Sequence, residues 1–513
     1  METLLKPLQT VVFQKSVNIE ALSAAGRSIF VVGKKDALCR AAQQLSTALP
    51  APLLAKQAEA LSAGYAGAKV ESPWLDKSGE VRKVTLVAIP DAAGRVVSSA
   101  RPDVIAKQLH GKIAGQEVLL VVPEGDMLAA GLAVARCVPP YSAKVDKGKN
   151  ETSTVNVGFL EGGPSEDLLS KLNTAAESIR LAQGLVDMPP NVADPQLFRD
   201  VALRAVEGLP GVSHTMIEGE ELRDKGYGLL WNTGKSSERG PVLLVLTHEG
   251  KPGGGQKGAA IVGKGITFDT GGAALKSRDG MIGMKRDMGG AAGVLGAFVA
   301  LARQGGLPCG RPLHCVLCLA ENGIGPGMML QDDILTAYSG LTVEINNTDA
   351  EGRLVLSDGV CHVAKHLDCD LVVDMATLTG AQGVSTGVHH GLILATDEAL
   401  EKDVVAAGKL SGDMVHPGLF APELLMHEYD SQFADLRNSV KNRGNAQSSC
   451  AGLFIHKHLT HTGYQGRWLH VDMASPSHEP LGDFATGWGV GLLTTFLNGL
   501  GASGDASAPA SSL

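Results

Sequence analysis

The sequence predicts an α/β protein with a smaller N-terminal α/β domain and a larger C-terminal α/β domain, whose mixed central sheet is flanked by helices. Short apolar runs alternate with amphipathic segments along the chain, which is typical of α/β folds. The 513 residues exceed the usual length of a single domain. A Gly/Pro/Ser-rich stretch, FLEGGPSED at 159–167, interrupts the alternation and indicates where the first domain ends.

The first domain is predicted over residues 1–163. Three apolar runs in it have the character of strands: RSIFVVGK, VTLVAIP and EVLLVVPEG. The segment DALCRAAQQLSTAL has the spacing of an amphipathic helix. No cluster of residues in this part indicates a catalytic site.

A long connecting helix is predicted over residues 164–190. Its apolar residues recur in steps of three and four, which keeps them on one face: Leu168, Leu172, Ala175, Ile179, Ala182 and Val186. Pro189 and Pro190 end the helix because proline lacks a backbone N–H and clashes with the preceding turn.

A second α/β series is predicted over residues 191–500. Its expected strands are PVLLVLTHEG, AAIVGKG, LHCVLCLA, LTVEIN, DLVVDMA and RWLHVDMA. Its expected helices lie near 289–303, 354–367, 397–409, 450–459 and 487–499. This alternation predicts a mixed or mostly parallel sheet with helices on both faces. The Ser/Ala-rich tail at 501–513 is predicted to be disordered.

Composition excludes several classes of function. The net charge of −9 and the absence of a basic stripe argue against a nucleic-acid partner, which requires dense positive charge. The first residues lack the pattern of a signal peptide, and no apolar run is long enough to span a bilayer. We therefore expect a cytoplasmic protein without a membrane partner. The eight cysteines form no disulfide framework, and Cys315 and Cys318 are expected to be core residues of a buried strand.

Two polar segments contain most of the candidate catalytic and metal-binding residues. They are GKGITFDTGGAALKSRDGMIGMKRDMGG at 263–290 and NNTDAEGRL at 346–354. Both follow strand-like runs, so they are expected in loops at the carboxyl ends of strands, where α/β sheets bind ligands. The candidate residues in them are the acids Asp269, Asp287, Asp349 and Glu351 and the cations Lys264, Lys276 and Arg353.

The joint occurrence of these residues predicts a divalent-metal site. One Asp beside glycine is ordinary turn chemistry, but four converging acids repel one another unless cations neutralise them. Oxygen ligands suit Mg, Mn or Zn. Asp349 and Glu351 are two residues apart, so in an extended segment they project to the same side. The His-Glu-x-x-His motif is absent, and GKGITFDTGG lacks the Gly-Lys-Ser/Thr ending of a P-loop.

Several ordered segments give this pattern its identity. They are VGKGITFDTGG, the spacings to Lys276 and Asp287, NTDAEGRL at Asn347 to Leu354, LVDMPPN, DMATLTGA at 374–381, and the closing HVDMA and ATG. At these residues the sequence resembles the leucyl (cytosol) aminopeptidase family, nearest to its animal aminopeptidase-like branch. The resemblance spans roughly residues 165–500, and the first domain matches only in general character.

The resemblance implies a metalloaminopeptidase, with residues 191–500 as its catalytic domain and two divalent ions, Zn and/or Mn, in each subunit. It also implies a homohexamer acting on peptides. The implied metal ligands are Asp269 and Glu351 as bridges, Lys264 as a neutral amine, Asp287 on the Lys264 side, and Asp349 on the other ion. Lys276 is expected to stabilise the oxyanion, and Arg353 to hold a bicarbonate or an equivalent water that shuttles the proton.

By the same resemblance, Met284, Thr377, Gly380 and Ala485 line the pocket for the first substrate side chain. Met284 and Ala485 suggest an apolar pocket that accepts Leu or Met. The loop ENGIGPGMMLQDD at 321–333 differs from the ENMPSG-type sequence that is commoner in the family, which leaves substrate preference open. His389 and His390 are expected to be surface or loop residues without a catalytic role.

The sequence leaves two alternatives to peptide hydrolysis. The first is a scaffold or binding protein of the same fold that has weak activity or none. The intact metal set, with Lys276 and Arg353 unchanged, argues against it. The second is nucleic-acid binding, known for some bacterial relatives of the family, which the acidic balance disfavours.

Overall fold

A computed structural model describes residues 9–500 apart from 19–21, 23–25, 50, 52, 77, 145–151, 252–255 and 483. It contains a six-stranded sheet in the N-terminal part, an eight-stranded sheet in the C-terminal part and a small three-stranded sheet beside the larger one. Helices pack on the two larger sheets, which confirms the predicted two-part α/β architecture. The predicted tail at 501–513 lies outside the described residues.

The N-terminal sheet has the order β1-β6-β5-β2-β4-β3, and all its neighbours are parallel except β3 and β4. Its strands are β1 Gln9–Gln14, β2 Ile29–Gly33, β3 Ala68–Leu75, β4 Val81–Ala88, β5 Glu117–Val121 and β6 Ser153–Phe159. Its helices are α1 Lys35–Ala48, α2 Leu54–Ala60, α3 Pro102–Leu109 and α4 Met127–Ala135. The three predicted strands are β2, β4 and β5. The sequence did not reveal β1, β3 and β6.

The connecting helix, α5, spans Glu166–Asp187. The Ser165 hydroxyl caps it by accepting a hydrogen bond from the N–H of Leu168 at 3.2 Å. The predicted apolar face is buried from Leu172 onward. This face contributes to one hydrophobic core that the N-terminal sheet shares with the C-terminal part. The helix therefore joins the two parts through packing as well as through the chain.

The C-terminal sheet has the order β15-β14-β17-β13-β9-β10-β8-β7. The four strands β17, β13, β9 and β10 are adjacent and parallel, so their carboxyl ends meet at one edge. Its strands are β7 Val212–Glu218, β8 Val242–His248, β9 Gly258–Asp269, β10 Leu313–Asn322, β13 Cys369–Ala376, β14 Gly391–Ala395, β15 Val415–Pro417 and β17 Arg467–Asp472. The sheet is mixed because β7, β8 and β14 introduce antiparallel pairs.

One predicted strand lies elsewhere. The segment LTVEIN forms β12, Thr342–Glu344, which belongs to the small sheet with β11, Ile334–Thr336, and β16, Leu436–Arg437. Its pairing with β16 joins residues more than ninety positions apart, such as Val343 and Leu436. The expectation that it belongs to the main series of strands was therefore wrong. The small sheet supports the 346–354 segment instead.

The C-terminal helices follow the predicted series and add several short ones. They are α6 Pro195–Val206, α7 Glu220–Asp224, α8 Gly228–Gly234, α9 Arg278–Met281, α10 Gly289–Arg303, α11 Gly352–His366, α12 Gly380–Thr386, α13 Glu398–Ser411, α14 Pro422–Leu425, α15 Gln447–His461 and α16 Val490–Gly499. Within the described part of the chain, none is long and apolar enough to cross a membrane. Cys315 and Cys318 are buried and unbridged in β10, as expected.

Candidate active site

The acidic residues singled out by the sequence meet at the carboxyl edge of the four parallel strands. Asp269 ends β9, Asn322 ends β10, Thr377 follows β13 directly, and Asp472 ends β17. Glu351 lies next to the first residue of α11, where the positive end of the helix dipole favours a carboxylate. Parallel strands with helices between them thus assemble the site from segments far apart in the chain.

One half of the site surrounds the ammonium of Lys264, which is 3% exposed. Its Nζ donates to Asp287 Oδ1 at 2.7 Å and to the carbonyl of Thr377 at 3.0 Å, and it lies 3.0 Å from Glu351 Oε1. The Thr377 hydroxyl donates to the same Asp287 oxygen at 2.9 Å. Thr377 therefore contacts the acid cluster itself.

The other half surrounds Lys276. Its Nζ lies 2.7 Å from Asp269 Oδ2 and also pairs with Asp349 Oδ1. Carboxylate oxygens of Asp269, Asp349 and Glu351 all lie within 4.8 Å of one another. Glu351 contacts Lys264 in the first half, so the two halves form one continuous site.

Two glycines permit this close approach. A Cβ at Gly352 would lie 2.7 Å from both Cε and Nζ of Lys264, so only glycine lets the lysine pass the start of α11. Gly271 has a φ of +83°, and a Cβ there would lie 2.9 Å from Asp349 Oδ1. The glycines of the two polar segments thus bring cations and acids into contact.

Electrostatics in the site are unbalanced. Burial and the neighbouring acids raise the pKa of Asp287 well above its ordinary value, and burial with Glu351 raises the pKa of Asp269 to about 6. Burial would also raise the pKa of Glu351, but Lys264 and Lys276 outweigh it and hold that pKa low. The acids in turn outweigh the burial of Lys264 and raise its pKa. Only a strong nearby positive charge would make Lys264 the neutral amine that metal ligation requires.

The donor set fits divalent metal ions. Asp287 Oδ2 and Glu351 Oε2 are buried and have no hydrogen-bond partner. An unpaired carboxylate oxygen is costly in the interior of a protein, whereas a hard dication satisfies it. The site thus combines close carboxylate oxygens, one amine nitrogen and unfilled acceptors, which is the chemistry of a metal centre.

Arg353 lies two residues beyond Glu351 and is 4% exposed. Its Nη1 donates to the Tyr429 hydroxyl at 3.0 Å and to the carbonyl of Asn438 at 3.1 Å. Its hydrogen bonds within the described part of the chain are to these two oxygens and not to a carboxylate, and its Nε has no acceptor. The guanidinium therefore has spare donors and an uncompensated charge, which suit a small anion.

The remaining predicted pocket residues are more dispersed. Met284 is half-buried in a 3₁₀ turn, Met284–Arg286, directly before Asp287. Gly380 begins α12 three residues after Thr377. Ala485 is buried, and its N–H and carbonyl are bound by Asp187 and Gln183 at the end of α5. The structure shows Met284 and Thr377 beside the acid cluster and gives no direct contact of Gly380 or Ala485 with it.

His389 and His390 lie in the loop before β14, as expected, and His389 interacts with the charge of Asp103 in the N-terminal part. His390 Nε2 lies 2.9 Å from the carbonyl of Val96 in the N-terminal part. The start of the 321–333 loop, by contrast, reaches the site, because Asn322 Nδ2 donates to Asp269 Oδ1 at 2.8 Å. The segment therefore contacts the acid cluster directly through Asn322.

Sequence reasoning missed the residues that hold the polar segments in place. Asn322 Nδ2 also donates to the carbonyl of Thr348 at 3.1 Å and so links the two segments. The Thr348 hydroxyl donates to the carbonyl of Gly271 at 2.6 Å. Asp472 accepts the N–H of Leu378 at 3.1 Å and fixes the loop after β13. The position of Asn322 and Asp472 at strand ends was the signal that could have identified them.

Comparison with known proteins agrees with this geometry. Residues 180–494 match the model of the cytosol aminopeptidase family, catalytic domain, and residues 27–147 match the M17 aminopeptidase N-terminal domain 2. The probable aminopeptidase NPEPL1 of Mus musculus is 44% identical over 382 residues, covering 73% of this chain and 71% of the relative. Leucine aminopeptidase 1 of Caenorhabditis elegans is 39% identical over 418 residues, covering 80% and 83%.

Solved structures show the same architecture. Leucyl aminopeptidase from Trypanosoma cruzi superposes with a TM-score of 0.87 at 37% identity, covering 97% of this chain and 99% of that one. Leucyl aminopeptidase from Trypanosoma brucei in complex with bestatin gives 0.88 at 34% identity, covering 97% and 98%. The chain therefore belongs to the cytosol aminopeptidase family of metal-dependent peptidases, and it is an aminopeptidase of the hydrolase class.

Proposed function

We propose that this chain removes single N-terminal residues from short peptides with two divalent ions, Zn and/or Mn, held by Lys264, Asp269, Asp287, Asp349 and Glu351. The observation that carries the proposal is the buried acid cluster, in which oxygens of Asp287 and Glu351 have no partner. In addition, carboxylate oxygens of Asp269, Asp349 and Glu351 lie within 4.8 Å of one another, close enough to bind one metal ion together. Such a set is costly unless dications fill it.

The contacts suggest how the ligands divide. Asp287 and Glu351 both contact Lys264, and these three residues would hold one ion. Asp269, Asp349 and Glu351 would hold the other, and by the family resemblance Asp269 and Glu351 would serve both ions. When bound, such ions bind the free α-amine, polarise the scissile carbonyl and lower the pKa of water. A free, uncharged N-terminus is then a requirement of the substrate, which is the defining property of an aminopeptidase.

Lys276 and Arg353 act beside these ligands. Lys276 is the more exposed of the two buried ammonium groups, so it would donate to the oxygen that gains negative charge during hydrolysis. Arg353 would hold bicarbonate through its unused donors, and that anion would carry a proton from water to the leaving amine. Both roles depend on the acid cluster remaining correctly placed.

The substrate side chain would contact Met284, Thr377, Gly380 and Ala485. Support comes from the half-buried Met284 before Asp287 and from Thr377 against Asp287. Met284 and Ala485 would make this pocket apolar, which favours Leu or Met at the N-terminus of the peptide. Among these residues, Met284 is the best candidate for contact with the substrate side chain, because a flexible thioether adapts to different aliphatic side chains.

The wider setting belongs to the same proposal. A homohexamer in the cytoplasm is proposed from the family membership. The chain would divide into an N-terminal domain at 1–163, the connecting helix region at 164–190 and a catalytic domain at 191–500. The boundary is supported by the Gly/Pro/Ser stretch before α5, which begins at Glu166.

The test combines metal analysis with cleavage of Leu-, Met- and Arg-anilides. Wild type is expected to bind two equivalents of Zn or Mn and to cleave the apolar anilides best. Asp287→Ala should lose one ion and at least a hundredfold of its turnover, while the exposed Asp403→Ala variant should match wild type. A folded, metal-loaded wild type that cleaves no unblocked peptide would exclude the enzymatic role and favour the scaffold alternative.

A further inference from the structure

Asn438 is a fully buried residue, 0% exposed, that sits outside both polar segments. It follows β16 directly, and its N–H donates to the carbonyl of Glu344 in β12 at 3.1 Å. The small sheet therefore fixes its main chain. This sheet is the part of the fold that leads into the 346–354 segment.

The side chain of Asn438 makes four hydrogen bonds, all to the main chain of that segment. Its Oδ1 accepts from the N–H groups of Asn346 at 3.0 Å and Asn347 at 3.2 Å. Its Nδ2 donates to the carbonyls of Asn347 at 2.6 Å and Ala350 at 3.3 Å. The amide thus uses both lone pairs and both protons, which no other side chain of this length reproduces.

The carbonyl of Asn438 contacts the second functional element. It accepts from Arg353 Nη1 at 3.1 Å, while Tyr429 accepts from the same nitrogen at 3.0 Å. The residue therefore contacts the segment that carries Asp349 on one side and the guanidinium of Arg353 on the other. Arg353 belongs to the same segment, so Asn438 holds this segment both at its main chain and at one of its side chains.

We propose that Asn438 is a positioning residue that holds the Asp349 and Glu351 ligands and the Arg353 guanidinium in one register. This proposal rests on the proposed metal-dependent hydrolysis. A side chain that fixes ligands from outside the metal shell raises metal affinity and turnover together. A merely structural amide would affect stability alone.

Asn173 provides a matched control. Its amide also binds only main-chain groups: Oδ1 accepts the N–H of Phe13 at 2.9 Å, and Nδ2 donates to the carbonyls of Phe13 at 3.2 Å and Leu169 at 3.1 Å. These bonds join α5 to β1, and none of them involves the acid cluster or the two polar segments. Asn173→Ala therefore reports what the loss of such a network costs when no ligand depends on it.

The experiment compares Asn438→Ala, Asn438→Asp and Asn173→Ala in the full-length protein. The readouts are the apparent Kd for Mn²⁺ by equilibrium dialysis, kcat and KM on Leu-anilide at saturating Mn²⁺, and the urea midpoint of unfolding. Asn438→Ala is expected to weaken Mn²⁺ binding and to lower kcat by about tenfold each, as loss of an outer ligand support typically does. Asn173→Ala is expected to lower the urea midpoint without either effect.

Asn438→Asp keeps the size and the acceptor oxygen but turns an oxygen toward the carbonyls of Asn347 and Ala350, so it should change both quantities in the same direction. It replaces the alanine variant if that one does not fold. Wild-type Mn²⁺ affinity together with wild-type kcat in a folded Asn438 variant would overturn the proposal. Wild type that binds Mn²⁺ without cleaving the anilide would instead defeat the proposed function, and the Mn²⁺ affinities would still report on Asn438.

Discussion

Arg136 and Arg353 are both buried, 7% and 4% exposed, yet only Arg136 has a carboxylate partner. Arg136 Nη2 lies 2.8 Å from Asp413 Oδ1, and Asp413 Oδ2 accepts the N–H groups of Gly489 and Leu492 at 3.1 Å each. The Arg136 pair is thus neutralised and hydrogen-bonded inside the protein. Arg353 relies on a phenol and a carbonyl.

This difference separates a charge paired inside the protein from one for which we propose a role in catalysis. The Arg136–Asp413 pair joins the end of α4 to the segment before β15 and to the start of α16, so it stabilises the junction of the two parts. Nε lacks an acceptor in both arginines, so the contrast lies in the carboxylates: Asp413 is hydrogen-bonded through both oxygens, whereas Asp287 Oδ2 and Glu351 Oε2 have no partner. Proteins satisfy buried polar groups unless a ligand does so, and the unfilled set therefore marks the site that binds one.

The largest expected effect comes from breaking the buried ion pair between Arg136 and Asp413. Asp413→Ala should lower the free energy of unfolding by about 3–5 kcal/mol, because it leaves the Arg136 charge buried without a partner. Urea denaturation measures this change, and kcat of the folded fraction should remain near that of wild type. Lys402→Ala, which removes an exposed pair with Glu398, is the control and should cost at most about 1 kcal/mol. A loss no larger than that of the control would show that the Arg136 pair is not structural.

The second effect concerns the acid cluster, whose buried carboxylate oxygens are not all hydrogen-bonded. Lys276→Ala should reduce kcat by about a hundredfold, as loss of one oxyanion donor typically does, while metal content stays near two ions per subunit. Steady-state kinetics and metal analysis on the same preparation test both parts. Lys409→Ala, a half-exposed lysine on α13, should leave both unchanged. If Lys276→Ala lost metal, Lys276 would be a support of the ligands and not an oxyanion donor.

The clustering of the candidate site was predictable because its proposed ligands lie in two short segments. Lys264 and Asp269 lie in β9 of the parallel strands, whose ends meet at one edge, whereas Asp349 and Glu351 follow β12 of the small sheet. The resemblance then assigned their roles. The apolar strands and the long helix were predictable for a similar reason, since burial on one or both faces leaves a periodic pattern in the sequence.

The supports of the site were not predictable, because their contacts exist only in three dimensions. Asn438 follows a two-residue strand whose partner, β12, lies more than ninety residues earlier. Its four side-chain bonds are to main-chain atoms, which leave no trace in side-chain chemistry. The strands β1 and β3 were missed because alternating exposure gives them a polar sequence. Local patterns thus reveal elements, and long-range pairing decides how they support a site.

A third effect tests the unpaired arginine directly. Arg353→Ala should lower kcat about tenfold, less than the usual contribution of a directly acting acid or base, because water can replace bicarbonate as the proton carrier. The rate of wild type should rise with added bicarbonate at fixed pH, and this rise should disappear in the variant. Arg311→Ala removes a buried arginine that is paired with Asp370, so it should lose stability and keep the response to bicarbonate. A wild-type rate that ignores bicarbonate would remove the anion from the proposal.

The smallest expected effect is a change in substrate selectivity, caused by a residue next to the proposed metal ligand Asp287. Met284→Ala should lower kcat/KM for Leu-anilide by about threefold to tenfold relative to Phe-anilide, because shortening one wall of an apolar pocket costs the smaller side chain its contacts and makes room for a larger one. Competition between the two anilides measures the ratio in one reaction. Met281→Ala, three residues earlier and also half-buried, should leave the ratio unchanged. Equal ratios in both variants would mean that Met284 packs against the protein, and that the 3₁₀ turn before Asp287 serves to place the ligand alone.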